Sequence, residues 1–390
     1  MKAIGYQQSL PCDHPDSLLD ITLPEPVPGP HDLLVAVQAI AVNPVDTKIR
    51  RRLTPPAGHY RVLGWDAAGI VTAVGDAVTR FRPGDRVWYA GARDRQGCNA
   101  ELQVVDERLV GHLPQSLGYA EAAALPLTTV TAWELLFDRL EVPRIFSGAR
   151  PTGLARTEPA PGGAGQEQPL HALARNSGQH PLTFAVSGAE AGSGSEVGET
   201  PEALLILGAG GGVGSILTQL ARQLTALTVI GTASRPETRQ WVRDLGAHFV
   251  IDHHQPLPPQ LAEIGQPRVR FIAALTQTEQ HLPAIIEVIA PQGRLAVIDD
   301  PSQLDIMPFK QKSVSIHWEF MFTRSLFATP DMVEQHRILE DAARLVDQSL
   351  LRTTLASHFG AINAANLRRA HALIESGQAR GKIVLEGFST

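Results

Sequence analysis

The sequence predicts an α/β protein in which a β-rich domain precedes a doubly wound parallel sheet. Short β-like runs crowd the first third, at 33–41 (LLVAVQAIA), 69–74 (GIVTAV), 86–90 (RVWYA) and 100–105 (AELQVV), broken by Pro-Gly and Gly-Asp turns. Beyond residue 200, strand-like and helix-like patterns alternate, as they do when a parallel sheet is covered on both faces. The first strand of that second region runs into a glycine-rich turn, GAGGGVG at 208–214. At 390 residues the chain is long enough for about two domains at ~150 residues each.

Taken in order, the β-rich part gives way at 119–140 to a helical pattern carried by Ala122, Ala123, Leu125, Trp133, Leu135, Leu136 and Leu140. From 144 to 200 Gly, Pro and Ser supply about a third of the residues and no period is sustained, which predicts a disordered surface insertion, with a lid or partner-binding segment as the alternative. Strands are then expected at 203–207, 227–232, 249–251, 269–275 and 295–298. Helices are expected after the glycine turn, at 236–245 with a stop at Gly246, and up to Ile289. A final strand at 382–385 (KIVL) is placed to rejoin the first domain.

Composition narrows the function. Lys plus Arg number 34 against 40 Asp plus Glu, a net charge of −6 without a basic stripe, so nucleic acid is not an expected partner. Cys12 and Cys98 are too few for a disulfide framework or a four-thiolate zinc lobe and fit a reducing compartment. The N-terminal residues lack the pattern of a secretory leader and no apolar run approaches ~20 residues, so the expectation is a cytoplasmic protein with no membrane partner.

A turn of this composition between a buried strand and a helix suits a pyrophosphate. Glycines permit close backbone approach, and the open N–H groups and positive end of the helix face the anion. Gly208, Gly211, Gly212, Val213 and Gly214 are the candidate cofactor contacts, although the spacing reads Ala209-x-Gly211-x-x-Gly214 and not a literal G-x-G-x-x-G. A carboxylate for the ribose 2′-hydroxyl would be expected at the end of the next strand. The chain has Ser234 and Arg235 there, which could contact a 2′-phosphate and so favour NADPH; the alternative is that Arg235 decorates a solvated helix start.

With these features in place, the chain resembles the medium-chain dehydrogenase/reductase superfamily in its quinone-oxidoreductase-like branch. The likeness is carried by Asn43-Pro44-Val45-Asp46-Thr47, Gly64-Trp65-Asp66-Ala67-Ala68-Gly69, Pro83-Gly84-Asp85-Arg86-Val87, the run LPLTTVTA at 125–132 and Gly381-Lys382-Ile383-Val384-Leu385. The segment 315–324 (SIHWEFMFTR) looks like the group called zinc-type alcohol dehydrogenase-like proteins. The resemblance implies a GroES-like catalytic domain over 1–130, joined by 350–390, and a Rossmann domain over 131–349 interrupted by the 144–200 insertion. It further implies a homodimer and NADPH-dependent hydride transfer to quinones or α,β-unsaturated carbonyls.

Carried over residue by residue, the resemblance makes Asn43, Asp46, Lys48 and Thr128 candidate catalytic residues. Thr131, Ile298 and Lys382 join the cofactor contacts, and Trp65, Trp318 and Phe322 become candidate substrate walls. Related reductases often carry Tyr where Lys48 stands, so Lys48 is either an electrostatic donor or a solvated side chain. Asn43 could equally be a turn residue, and the aromatics could equally be core. Metal-dependent relatives have a Cys near the segment matching 43–48 and a His in Gly-His-Glu; here the first lacks Cys and the second reads Gly64-Trp65-Asp66. His59, His112, His253, His254 and His317 lack paired-ligand spacing, and no zinc is expected. The competing readings are a zinc alcohol dehydrogenase and a non-catalytic NADPH-binding sensor. A short-chain dehydrogenase is disfavoured because no Tyr has a Lys four residues later.

Overall fold

The computed structural model describes residues 1–145 and 202–388; the predicted insertion, beyond its first two residues, lies outside them. The long strand β1 (Asp32–Val42) is the spine of a seven-stranded sheet. It leads through Asn43 into helix α1 (Pro44–Arg52) and pairs antiparallel with β2 (Ala67–Val74). Strands Arg86–Tyr89 and Leu102–Asp106 extend this sheet, close to the runs expected from alternation and turn signals, and so does Val110–His112, which lies outside those runs.

The helical stretch expected at 119–140 is divided. A short helix, Tyr119–Ala123, ends before helix α2 (Pro126–Trp133) begins. Pro126 is the cause: its ring disfavours helical geometry at Leu125 but suits the first position of a new helix. α2 then widens into a π-helical stretch, Glu134–Arg139, closed by Leu140 N–H donating to Leu135 O at 2.9 Å. Its two charged ends explain the departure from the apolar pattern. Buried Glu134 pairs with Arg324 and Arg139 donates to Glu319 at 2.9 Å, drawing the helix toward the segment after residue 318.

Strand β3 (Ala203–Leu207), helix α3 (Gly212–Leu224), strand β4 (Thr228–Thr232), helix α4 (Pro236–Asp244), strand β5 (Phe249–Ile251), strand β6 (Val269–Ala274), helix α5 (Thr278–Val288), strand β7 (Ile289–Val297) and strand β8 (Ser315–Trp318) follow. The strands form one parallel sheet in the order β5-β4-β3-β6-β7-β8. Leu204 and Ile206 of β3 pack into one core cluster while Leu205 and Leu207 pack into another on the opposite face. Burial on both faces is why this strand reads as an uninterrupted apolar run. Strand order reverses beside β3, so the crevice at the carboxyl ends of β3 and β6 is where a ligand belongs in such a sheet.

The last strand, β9 (Lys382–Glu386), returns to the first sheet as expected and pairs antiparallel with β1, Ile383 opposite Val42. One residue earlier, Gly381 N–H donates to Gly210 O at 2.9 Å, so the same segment also touches the glycine turn. Among the described residues no helix is long and apolar enough to cross a membrane.

Candidate active site

β3 stops at Leu207 because Gly208 takes a φ of +85°, a conformation most side chains resist, and its N–H donates to Thr232 Oγ1 at 3.0 Å. Gly211 then caps α3, and no side chain caps the helix, which leaves its first N–H groups facing the crevice. A Cβ on Gly211 would meet nothing nearer than Gly208 O at 3.6 Å. The face of the turn is therefore open where an anion would approach. Gly212 is different: its Cβ would press on Lys382 Cδ at 2.9 Å and Thr128 Cγ2 at 3.0 Å. The helix start, α2 and β9 thus meet at one point.

Behind that point lies a buried polar cluster. Asp66 Oδ2 accepts from Lys382 Nζ and from Asn43 Nδ2, both at 2.8 Å, and Asp66 Oδ1 accepts from Leu127 N at 2.7 Å. Lys382 Nζ also donates to Val42 O at 3.1 Å and to Asn43 Oδ1. Asp46, in the first turn of α1, accepts from Asn43 N at 2.8 Å and closes a capping box. Burial pushes the Asp46 carboxyl up to about 7, against the pull of the Asn43 N–H and of Lys382. Burial also raises Asp66, opposed chiefly by Lys382. The Cys98 thiol, donating to Asp66 O at 3.3 Å, is likewise pushed up by burial and is a buried spectator and not a nucleophile.

A titration follows from Asp46. Because its folded pKa exceeds the unfolded value, the folded state binds more protons between about pH 4 and 7, and this contribution to stability is lost as pH rises through 7. In Asp46→Asn the fall in unfolding free energy between pH 4 and 7 should be smaller than in the parent chain. Urea titrations at several pH values measure it, and an unchanged profile would remove Asp46 as its source.

The structure brings Asn43, Asp46, Thr128, Gly212 and Lys382 together, but it alters the roles expected of several. Lys382, expected to touch the cofactor, spends its three donors inside the protein; only its aliphatic stem lies against the turn. Asn43 is likewise consumed, both ends of its amide being paired in the cluster. The hydroxyls of Thr128 and Thr131 donate back along their own helix, to Leu125 O at 3.0 Å and Leu127 O at 2.8 Å. Trp65 is no substrate wall: it is 0% exposed and its Nε1 donates to Ala92 O at 3.2 Å. Phe322 is buried edge-on against Trp65 and Phe320, with ring centroids 6.2 and 5.5 Å apart. Trp318, 56% exposed, stands on β8 at the rim of the parallel sheet.

Lys48 is neither buried nor simply solvated. Its Nζ lies 3.1 Å from Asp300 Oδ2, which Arg52 also reaches at 3.3 Å, so α1 is tied to the loop after β7. Ile298 follows directly on β7, its N–H donating to Ala274 O at 3.2 Å. Ser234 and Arg235 lie where the 2′-position was expected, partly exposed, with Arg235 Nη2 donating to Gln378 O at 2.9 Å. Asp66, Asp300 and Gln378 escaped selection from sequence. Asp66 alone left a signal, since a carboxylate inside the run GWDAAGIV must have a buried partner.

The donors present do not fit zinc. Among the described residues no three His, Cys, Asp or Glu side chains converge as a metal site requires. The acidic pair Asp46 and Asp66 is neutralised from within by Lys382, and no histidine stands in the segment Gly64-Trp65-Asp66.

Residues 29–134 match the alcohol dehydrogenase GroES-like domain, and residues 245–385 match the zinc-binding dehydrogenase domain. A zinc-type alcohol dehydrogenase-like protein of Staphylococcus aureus (strain COL) is 35% identical over 386 residues, 99% of each chain. A quinone oxidoreductase of Pseudomonas aeruginosa is 26% identical, over 92% of each chain. Among solved structures, a Rhizobium etli protein described provisionally as a zinc-dependent alcohol dehydrogenase is 51% identical with a TM-score of 0.83, covering 100% of this chain and 99% of that one. The fold is also that of the Escherichia coli quinone oxidoreductase solved with NADPH, at 21% identity and a TM-score of 0.73, over 99% of this chain and 100% of that one. A GroES-like sheet joined to a parallel Rossmann sheet defines an oxidoreductase fold. The chain belongs to the medium-chain dehydrogenase/reductase superfamily, among its zinc-type alcohol dehydrogenase-like members.

Proposed function

We propose that the chain is a zinc-independent, NADPH-dependent reductase of quinones or α,β-unsaturated carbonyls. The observation that carries the zinc-free part is the carboxylate of Asp66, both of whose oxygens are engaged by Lys382, Asn43 and the Leu127 N–H beside a fully buried Trp65 that has no metal-ligating atom to offer. A bound nicotinamide would supply the reducing hydride. The chain's own part is to hold and polarise. The uncapped amides at the start of α3 hold the phosphates, and Gly211 leaves room for them. Lys48, whose side chain is 40% exposed, offers positive charge to a substrate oxygen that gains electrons.

NADPH is favoured over NADH by the absence of a carboxylate at the end of β4 and by the guanidinium of Arg235 in its place. Arg235→Asp should weaken NADPH binding by about 100-fold and NADH binding by less than about 3-fold, since a carboxylate beside a dianionic phosphate costs several kcal/mol of contact. Equal losses, measured by fluorescence titration, would remove the 2′-phosphate role. The homodimer is also part of this reading. It is supported by β8, whose outer edge pairs with no strand among the described residues, and is tested by light scattering.

The deciding assay is NADPH oxidation against quinones, enones and simple aldehydes, with and without chelator, with metal content measured on the same sample. Quinone or enone turnover by metal-free protein is the expected result. Turnover confined to alcohols and aldehydes and lost with the metal would favour the zinc chemistry in the names of its relatives.

A further inference from the structure

We propose that Arg380, on the loop leading into β9, is a second determinant of cofactor choice: with Arg235 it forms a two-guanidinium seat for the 2′-phosphate, one arm supplied from each sheet. The proposal deepens the NADPH reading and rests on it.

The placement follows from a chain of contacts. Trp241, on α4, donates from Nε1 to Ser215 Oγ at 2.8 Å, which fixes its ring beside the start of α3. The Arg380 guanidinium carbon stacks over that ring, 5.3 Å from its centroid. The neighbouring Gly381 donates its N–H to Gly210 O at 2.9 Å, and a Cβ there would lie only 3.1 Å from Trp241 Cζ2. Arg380 is therefore held beside the phosphate turn from two directions. On the other side of the same loop, Arg235 Nη2 donates to Gln378 O at 2.9 Å. The two arginines thus meet the same loop, Arg235 from the start of α4 at Gln378 and Arg380 two residues further on, over a ring of α4.

Neither guanidinium is neutralised in place. Arg235 has only a long contact with Glu237, at 3.8 Å between two substantially exposed side chains. Arg380 makes no ion pair among the described residues, and its Nε is buried without an acceptor. A buried donor of this kind is costly unless a ligand satisfies it. The anion that would do so at this place is a phosphate on the ribose of the nucleotide, since the turn already offers its own amides to the pyrophosphate.

The test separates the phosphates by using half-ligands on the full chain. Calorimetry with 2′,5′-ADP and with 5′-AMP reads the 2′-phosphate directly and does not depend on turnover. In Arg380→Ala the affinity for 2′,5′-ADP should fall roughly 10- to 100-fold, as expected for a lost charge-assisted contact, while that for 5′-AMP changes by less than about 2-fold. Arg380→Lys, which keeps the charge but not the fork, should fall between. An equal loss for both ligands would make Arg380 a pyrophosphate or packing residue and overturn the proposal, as would no loss for either. If the parent chain itself binds 5′-AMP as well as 2′,5′-ADP, the NADPH reading fails first. If the parent discriminates and Arg380→Ala discriminates equally, only the role of Arg380 fails.

Discussion

Lys382→Met is expected to lower the unfolding free energy by about 3–5 kcal/mol, the usual cost of removing one partner from a buried ion pair. Among the described residues the ammonium is the only cation hydrogen-bonded to Asp66, and it sits 3% exposed beside Asn43 and the carbonyl of Val42. Methionine keeps the stem that packs on Gly212 but leaves Asp66 buried and uncompensated, with Asp46 already protonating near neutrality. Much of the loss should return in the double variant Lys382→Met with Asp66→Asn, because the stranded charge is then gone. Urea unfolding of the parent, both single variants and the double variant measures the coupling. Additive losses would mean that the pair contributes nothing beyond the bulk of its parts.

The second large effect falls on the cofactor and spares the fold. Gly211→Val should cut NADPH affinity by more than about 100-fold, roughly 2.7 kcal/mol, by placing a branched side chain where the pyrophosphate must approach the backbone. The protein itself has room for it. The φ of Gly211 is −79°, which any residue can adopt, and its Cβ would meet only Gly208 O at 3.6 Å. Unfolding without cofactor should therefore shift little. Retained affinity would show that the turn is only a connection, whereas a collapsed melting transition would show that the space in front of Gly211 is needed for packing.

Why some of this was legible in the sequence and some was not comes down to range. The glycine turn and the strands around it were readable because local geometry dictates them: a continuous apolar run for a strand buried on both faces, then residues without side chains. The closing strand KIVL was readable for the same reason. Asp66, Lys382 and Asn43 could be noticed one by one, but nothing local says that a lysine would turn its head away from the nucleotide and toward a carboxylate more than three hundred positions distant. Trp65 and Phe322 misled as substrate walls because an aromatic beside a motif reads alike whether it faces a ligand or another ring. The break at Pro126 was visible in principle. The π-helical stretch after it was not, since the partners of its charged ends, Arg324 and Glu319, lie far along the chain.

The contact between Lys382 and Val42 spans 340 positions, and β9 pairs with the closing end of β1, Ala39–Val42. During synthesis the end of β1 at Ala39–Val42 emerges early and waits, one side of its backbone unpaired, until a strand some 340 positions later has left the ribosome. The parallel sheet can assemble in the meantime, but the cluster beneath its glycine turn cannot. A nascent chain short of β9 can thus complete the parallel sheet and still lack the lysine that closes the polar cluster against Asp66.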